Sequence, residues 1–216
     1  MHSTVSSTTR AGVALRLWAT ALLALAAIGF LAPKPAAASA DGARVFIQSL
    51  GDRAVKVMNG KDDRREGLER LIEEGIDIPA LGRFALGSFL RQSNPKKVDE
   101  YLALFRDYAI MAYPALMGKL NLRQFHIVST KPLDGDSSYV VTRIGYGENE
   151  SVEVGWYVRE APRGRYKIQD VQLEGYSLRT FQRAKFEKIL RDRWIDGLIK
   201  VMQAWVANGR EEPYLQ

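Results

Sequence analysis

Two carboxylates four residues apart, Asp170 and Glu174 in the stretch YKIQDVQLEG (166–175), are the first side chains whose spacing suggests acid–base chemistry. On a regular strand they would lie on one side, roughly 13 Å apart at about 3.3 Å per residue. Carboxylate pairs that cleave glycosidic bonds stand about 5 to 9.5 Å apart, and pairs that share a proton are closer. A bulge would shorten the gap, and the apolar phase calls for one. Tyr166 and Ile168 fall in one phase, Val171 and Leu173 in the other. The simpler assignment is structural: Asp170 marks a strand bend, Glu174 the strand exit, Gly175 a permissive turn and Ser177 the cap of a following helix.

Other reactive sets are thinner still. His2 lies in an apparent leader, which leaves His126 as the one imidazole of the remaining chain, and there is no cysteine. One histidine without a thiol makes no conventional zinc site. Ser177, in Gly-Tyr-Ser-Leu-Arg, lacks the second glycine of a nucleophile elbow. Gly145-Tyr-Gly147 is too short for a phosphate loop, and Asp134-Gly-Asp136 too short for a calcium loop. Asn149-Glu-Ser151 matches a glycosylation sequon, which supplies no reactive group. The expectation is a chain with no catalytic residue, metal or cofactor.

The elements that would position these residues begin after a leader. Arg10 and Arg16 accompany an uncharged apolar run, Leu17–Ala32, which is shorter than the about 20 residues that span a bilayer. Ala38-Ser39-Ala40 has the small-x-small pattern of a signal peptidase site. Residues 1–40 are therefore expected to be a cleaved signal peptide, and 41–216 a single exported domain. Without cysteine that domain has neither disulfides nor a lipoprotein acylation site, so its core alone must stabilise it. Setting aside Arg10, Arg16 and Lys34 leaves 28 of the 31 basic residues against 25 acidic ones, a net +3. The two signs are interspersed, as in KDDRREGLER, so a nucleic-acid surface is not expected.

Helical spacing runs from Ala43 to Asn59, with Phe46, Ile47, Leu50, Ala54, Val57 and Met58 on one face, and Gly60 ends it. A short helix stops at Gly75, and another is expected over Asp77–Gln92, capped by Asp77 with Pro79 in its first turn. Asn94-Pro95 opens what reads as the longest helix, rich in aromatics and expected to kink at Pro114. The period then changes to two across RQFHIVST, SSYVVTRIGYG, SVEVGWYVRE and RYKIQDVQLEG, four strands separated by turn-rich breaks. After Ser177 the helical period returns, with Phe186, Ile189, Leu190, Ile195, Leu198, Ile199, Met202 and Trp205 on one face and Gly197 as a candidate break. The expected fold is α+β: an antiparallel meander of about four strands packed against several helices.

GIDIPALGRFALGSFLRQ, YLALFRDYAIMAYPALM and GWYVRE…GRYKIQDVQLEGYSLRTFQRAKFEKIL together resemble the MlaC-type periplasmic phospholipid-binding proteins, the toluene-tolerance auxiliary component family. The resemblance rests on Ile76-Asp77, Leu86-Gly87, Phe89-Leu90-Arg91, Phe105 with Tyr113, and Asp170-Val171, Glu174-Gly175 and Ser177. It implies a soluble carrier in a Gram-negative periplasm that holds phospholipid acyl chains in a cavity between sheet and helices. The implied partners are an inner-membrane ABC transporter with an MCE-domain protein and an outer-membrane lipoprotein complex. Leu86, Phe89, Phe105, Tyr108, Val154, Trp156, Val171 and Leu173 are the expected lining. A hopanoid or other sterol-like lipid is the nearest rival cargo. A solid-core adaptor, and a hydrolase or isomerase using Asp170 or His126, are rivals of other classes.

Overall fold

The period-two segments pair in the order in which they occur. β1 (Leu122–Pro132), β2 (Ser137–Tyr146), β3 (Glu150–Ala161), β4 (Arg165–Leu173) and β5 (Tyr176–Ser177) form one antiparallel sheet, β1-β2-β3-β4-β5. The computed structural model describes residues 36–60, 63–117, 122–146 and 150–210, all within the unit Pro35–Gln216. The leader through residue 35 and Asn149 lie outside the described residues. β5 adds two residues to the four expected strands, too few to carry a visible period.

The bulge falls where the apolar phase requires it. Tyr157 pairs with Asp170 and Val158 with Ile168, so Gln169 is the extra residue. Tyr166 and Ile168 thereby join Val171 and Leu173 on one face. That face carries buried Val140, Ile144, Val154, Val158 and Ile168. The opposite face is polar and aromatic: the Tyr139 and Tyr157 rings lie 4.7 Å apart, and Tyr139 donates to Gln172 Oε1 at 2.9 Å. This alternation is that of a sheet covered on one side.

The apolar face packs against α1 (Ala36–Asn59), through Ala43, Ile47, Ala54 and Met58, and against Leu68 and Leu71 of α2 (Arg64–Gly75). α1 starts at Ala36 rather than at Ala43, because the preceding alanines are strong helix formers. The span 77–92 is divided: α3 (Ile78–Leu86) ends at Gly87, whose φ of 55° breaks the helix, and α4 (Phe89–Gln92) follows. Asp77 caps α3 as expected, accepting from Ala80 N at 3.2 Å.

α5 (Pro95–Met117) continues through Pro114, and α6 (Leu178–Ala207) is the longer of the two, with 30 residues against 23. The eight apolar residues expected on the inner face of α6 are its buried ones. Its break comes at Trp194 (φ 55°, ψ −169°) instead of Gly197. A non-glycine residue there costs about 1–3 kcal/mol. Among the described residues, no helix is long and apolar enough to cross a membrane.

α3, α5 and α6 build a second apolar cluster from Leu86, Tyr101, Phe105, Tyr108, Phe186, Leu198 and Trp205. Tyr101 is fully buried and donates to the Gly82 carbonyl at 3.1 Å. Burial holds its phenol well above the ordinary tyrosine range. The neutral form is thus favoured on folding, and its contribution is complete below pH ~10 and lost as pH rises through the folded value. Tyr101→Phe should cost about 1 kcal/mol at neutral pH. The deficit should shrink or reverse at alkaline pH, as read by denaturant titration at both.

Candidate functional site

Asp170 is 4% exposed and is held by backbone and side-chain donors alike. Its Oδ1 accepts from Val171 N at 2.8 Å and Arg179 N at 3.1 Å, and its Oδ2 accepts from Ser177 Oγ at 2.7 Å. Arg179 Nε lies 3.5 Å from Oδ2. Ser177 Oγ in turn accepts from Thr180 N, capping α6. Asp170 thus knots the end of β4 to the start of α6, as the structural assignment anticipates.

Glu174 and Gly175 form the turn between β4 and β5, with φ of 51° and 84° and the pair Leu173–Tyr176 closing it. Two consecutive positive φ values mark a type I′ hairpin turn, which prefers Asn-Gly. Glu174→Asn should therefore stabilise by about 0.5 kcal/mol, or roughly 1–2 °C in Tm, read by thermal melting. His126 is exposed on β1. Among the described residues, no group of three or more His, Asp or Glu is placed to hold a metal.

The eight expected lining residues divide into two sets. Val154 faces Leu173 and Trp156 faces Val171 across β3 and β4, so the four sheet residues form one patch. Val154 is 5% exposed, Trp156 and Val171 are half-buried, and Leu173 is 39% exposed. Beyond Leu173 the same face continues to its partner Tyr176, 76% exposed. The apolar stripe runs out of the core into solvent. Trp156 donates to Thr142 Oγ1 at 2.8 Å, which satisfies its one polar atom at the edge of the core.

Leu86, Phe105 and Tyr108 are buried in the helical cluster, and half-buried Phe89 packs against it, edge-on to Trp194 at 5.5 Å. The helical set belongs to one cluster and Val154, Trp156 and Val171 to the other, Leu173 to neither, and the two sets are not brought together. Ile76 and Met117 pack against both, so they mark the seam between the clusters.

A groove of mixed polar and apolar lining was not anticipated. It has a volume of about 670 Å³ and opens between the β1–β2 turn and the start of α6, lined by Lys131, Asp134, Tyr157, Gln169 and Arg179 among others. Beside it, the Arg179 and Arg183 guanidiniums lie 4.6 and 5.6 Å from the centre of the Phe84 ring. The i,i+4 spacing of these arginines after a cap was the available signal.

An open antiparallel sheet with helices against its apolar face, and an interior split along a seam, places the chain in the α+β class. The chain belongs to the MlaC protein family, whose model matches residues 43–204. Among solved structures, it is similar to the phospholipid-binding protein from Ralstonia solanacearum, determined in complex with a phospholipid. The TM-score is 0.61 at 18% identity, over 76% of this chain and 97% of that one, and the likeness shows the shared fold.

Proposed function

We propose that this protein is a periplasmic lipid carrier that takes phospholipid acyl chains into the seam between its two apolar clusters. The observation that carries this reading is the apolar stripe of Val154, Trp156, Val171 and Leu173, which leaves the core half-covered and reaches solvent at one end. Phe89, Leu86, Phe105 and Tyr108 belong to the helical cluster on the other side of that seam. Membership of the MlaC family and the phospholipid held by the Ralstonia solanacearum protein support the choice of cargo.

The energetics explain why such a carrier needs no bond-making residue. Each buried CH₂ is worth about 0.8 kcal/mol, so two chains of about 30 methylenes in total resist transfer through water by more than about 20 kcal/mol. An apolar seam lowers that barrier throughout the crossing. Release then requires a partner that favours an emptied form. In this reading residues 1–40 are an export signal removed after Ala40. The partners are an inner-membrane ABC transporter with an MCE-domain protein and an outer-membrane lipoprotein complex, and hopanoid is the rival cargo.

Native mass spectrometry of the mature chain followed by lipid extraction tests the reading. A bound diacyl phospholipid is the expected result. Protein that is purified empty, and that takes up no lipid from vesicles, would overturn it.

A further inference from the structure

The helical cluster borders a polar group whose hydrogen bonding the fold leaves incomplete. Gln182 lies on the inner side of α6, four residues before fully buried Phe186. The Tyr108 hydroxyl donates to Gln182 Oε1 at 3.0 Å, which turns the amide so that its NH₂ points away from Tyr108. That Nε2 is buried and has no hydrogen-bond partner among the described residues. A buried donor without an acceptor is destabilising, so its persistence calls for a partner from outside the fold.

The surrounding elements place Gln182 near the seam. Tyr101, Phe105 and Tyr108, successive along α5, meet Phe186 at ring separations of 6.3, 6.1 and 5.7 Å. Tyr108, the last of the three, is the one that bonds Gln182, so α5 advances as α6 runs back toward its own start. Further along α5, Tyr113 meets Tyr108 edge-on at 6.4 Å, and Met117 one turn later packs against both clusters. On α6, Leu178 lies one turn before Gln182 and is 36% exposed, next to the hairpin where Leu173 and Tyr176 reach solvent. The amide thus stands about one turn inside the end of the helical cluster.

We infer that Gln182 is the polar anchor of the seam, its amide donating to an ester carbonyl of a diacyl phospholipid. The inference rests on the proposed carrier function and adds the contact that sets the depth and class of the cargo. In such a lipid the esters join the acyl chains to the headgroup, so they belong where an apolar interior meets its opening. A neutral amide suits a neutral carbonyl. A phosphate at that depth would be a buried charge without a free cation, since Arg179 is tied to Asp170 and Arg183 lies over Phe84. A sterol-like cargo offers no ester carbonyl to this donor.

The test compares binding of three probes to the mature protein after its lipid is removed. They are an ester-linked phosphatidylglycerol, its ether-linked dialkyl analogue without carbonyls, and diphenylhexatriene, a hydrocarbon fluorophore. Wild type should hold the ester lipid about tenfold more tightly than the ether analogue, the worth of one net hydrogen bond to a buried group. Gln182→Met, similar in length but without an amide, should bind both lipids alike at the weaker affinity and still take up diphenylhexatriene. Gln182→Glu, which keeps an acceptor for Tyr108 and loses the amide donor, should lose the ester preference too. Equal affinity of wild type for ester and ether lipid would overturn the inference without any variant, and leave the carrier reading standing. Ester preference retained by either variant would also overturn it, as would loss of diphenylhexatriene in both, which assigns the amide to packing. Wild type that takes up neither lipid would overturn the carrier reading and the anchor with it.

Discussion

Asp170→Ala is expected to cost about 3–5 kcal/mol of folding free energy, visible as a large fall in the denaturant midpoint. The carboxylate accepts from Val171 N, Arg179 N and Ser177 Oγ in a site that water barely reaches. Its removal strands the Val171 and Arg179 amides, from β4 and α6, while Ser177 Oγ keeps Thr180 Oγ1 as an acceptor at 2.9 Å. The ion pair is the smaller part of the effect, because the Arg179 side chain is 37% exposed and solvent screens it. Asp170→Asn should fall between the two, as one oxygen can still accept. Ser177→Ala should cost only about 1 kcal/mol, the ordinary worth of a helix cap. A midpoint within experimental error of wild type for Asp170→Ala would remove its structural role and reopen a chemical one.

Val171→Glu is expected to abolish most co-purified lipid, with affinity lower by roughly a hundredfold or more, because a carboxylate in an acyl-chain path must be buried unpaired or exclude the chain. Val171 sits opposite Trp156 in the half-covered part of the stripe, so the substituted chain faces the proposed cargo rather than a packed helix. Trp156→Asp should act in the same direction, with a further stability cost from the lost bond to Thr142. Leu173→Glu, at the exposed end, should weaken lipid retention less and leave the melting temperature in place. Lipid content equal to wild type in both Val171→Glu and Trp156→Asp, measured by extraction and mass spectrometry, would remove the seam as the binding place.

Periodicity and caps made much of this legible. The phase change between Ile168 and Val171 located the bulge, because a sheet covered on one side must return its apolar residues to that side. The inner face of α6 followed from its spacing, and Asp77 and Ser177 from cap chemistry. What stayed hidden was tertiary. Spacing tells that Phe105 and Val154 point inward, but not that they point into different clusters. The break at Trp194 had no signal, since Gly197 is the residue whose type suggests one. The exposure of Phe181 was invisible for a related reason. An aromatic residue in a helix is read as core until its neighbours are known.

The division of the interior bears on how the molecule holds together when it is empty. The two cores share helix α2, with Leu68 and Leu71 in one and Ile72 in the other, and are tied by Asp170 between β4 and α6. Half-buried side chains such as Ile76 and Met117 pack against both. Acyl chains wedged along the join would contact both cores and fasten them to one another. The loaded protein would then unfold at higher temperature and more sharply than the unloaded one, with cargo reinforcing the ties that α2 and Asp170 already supply.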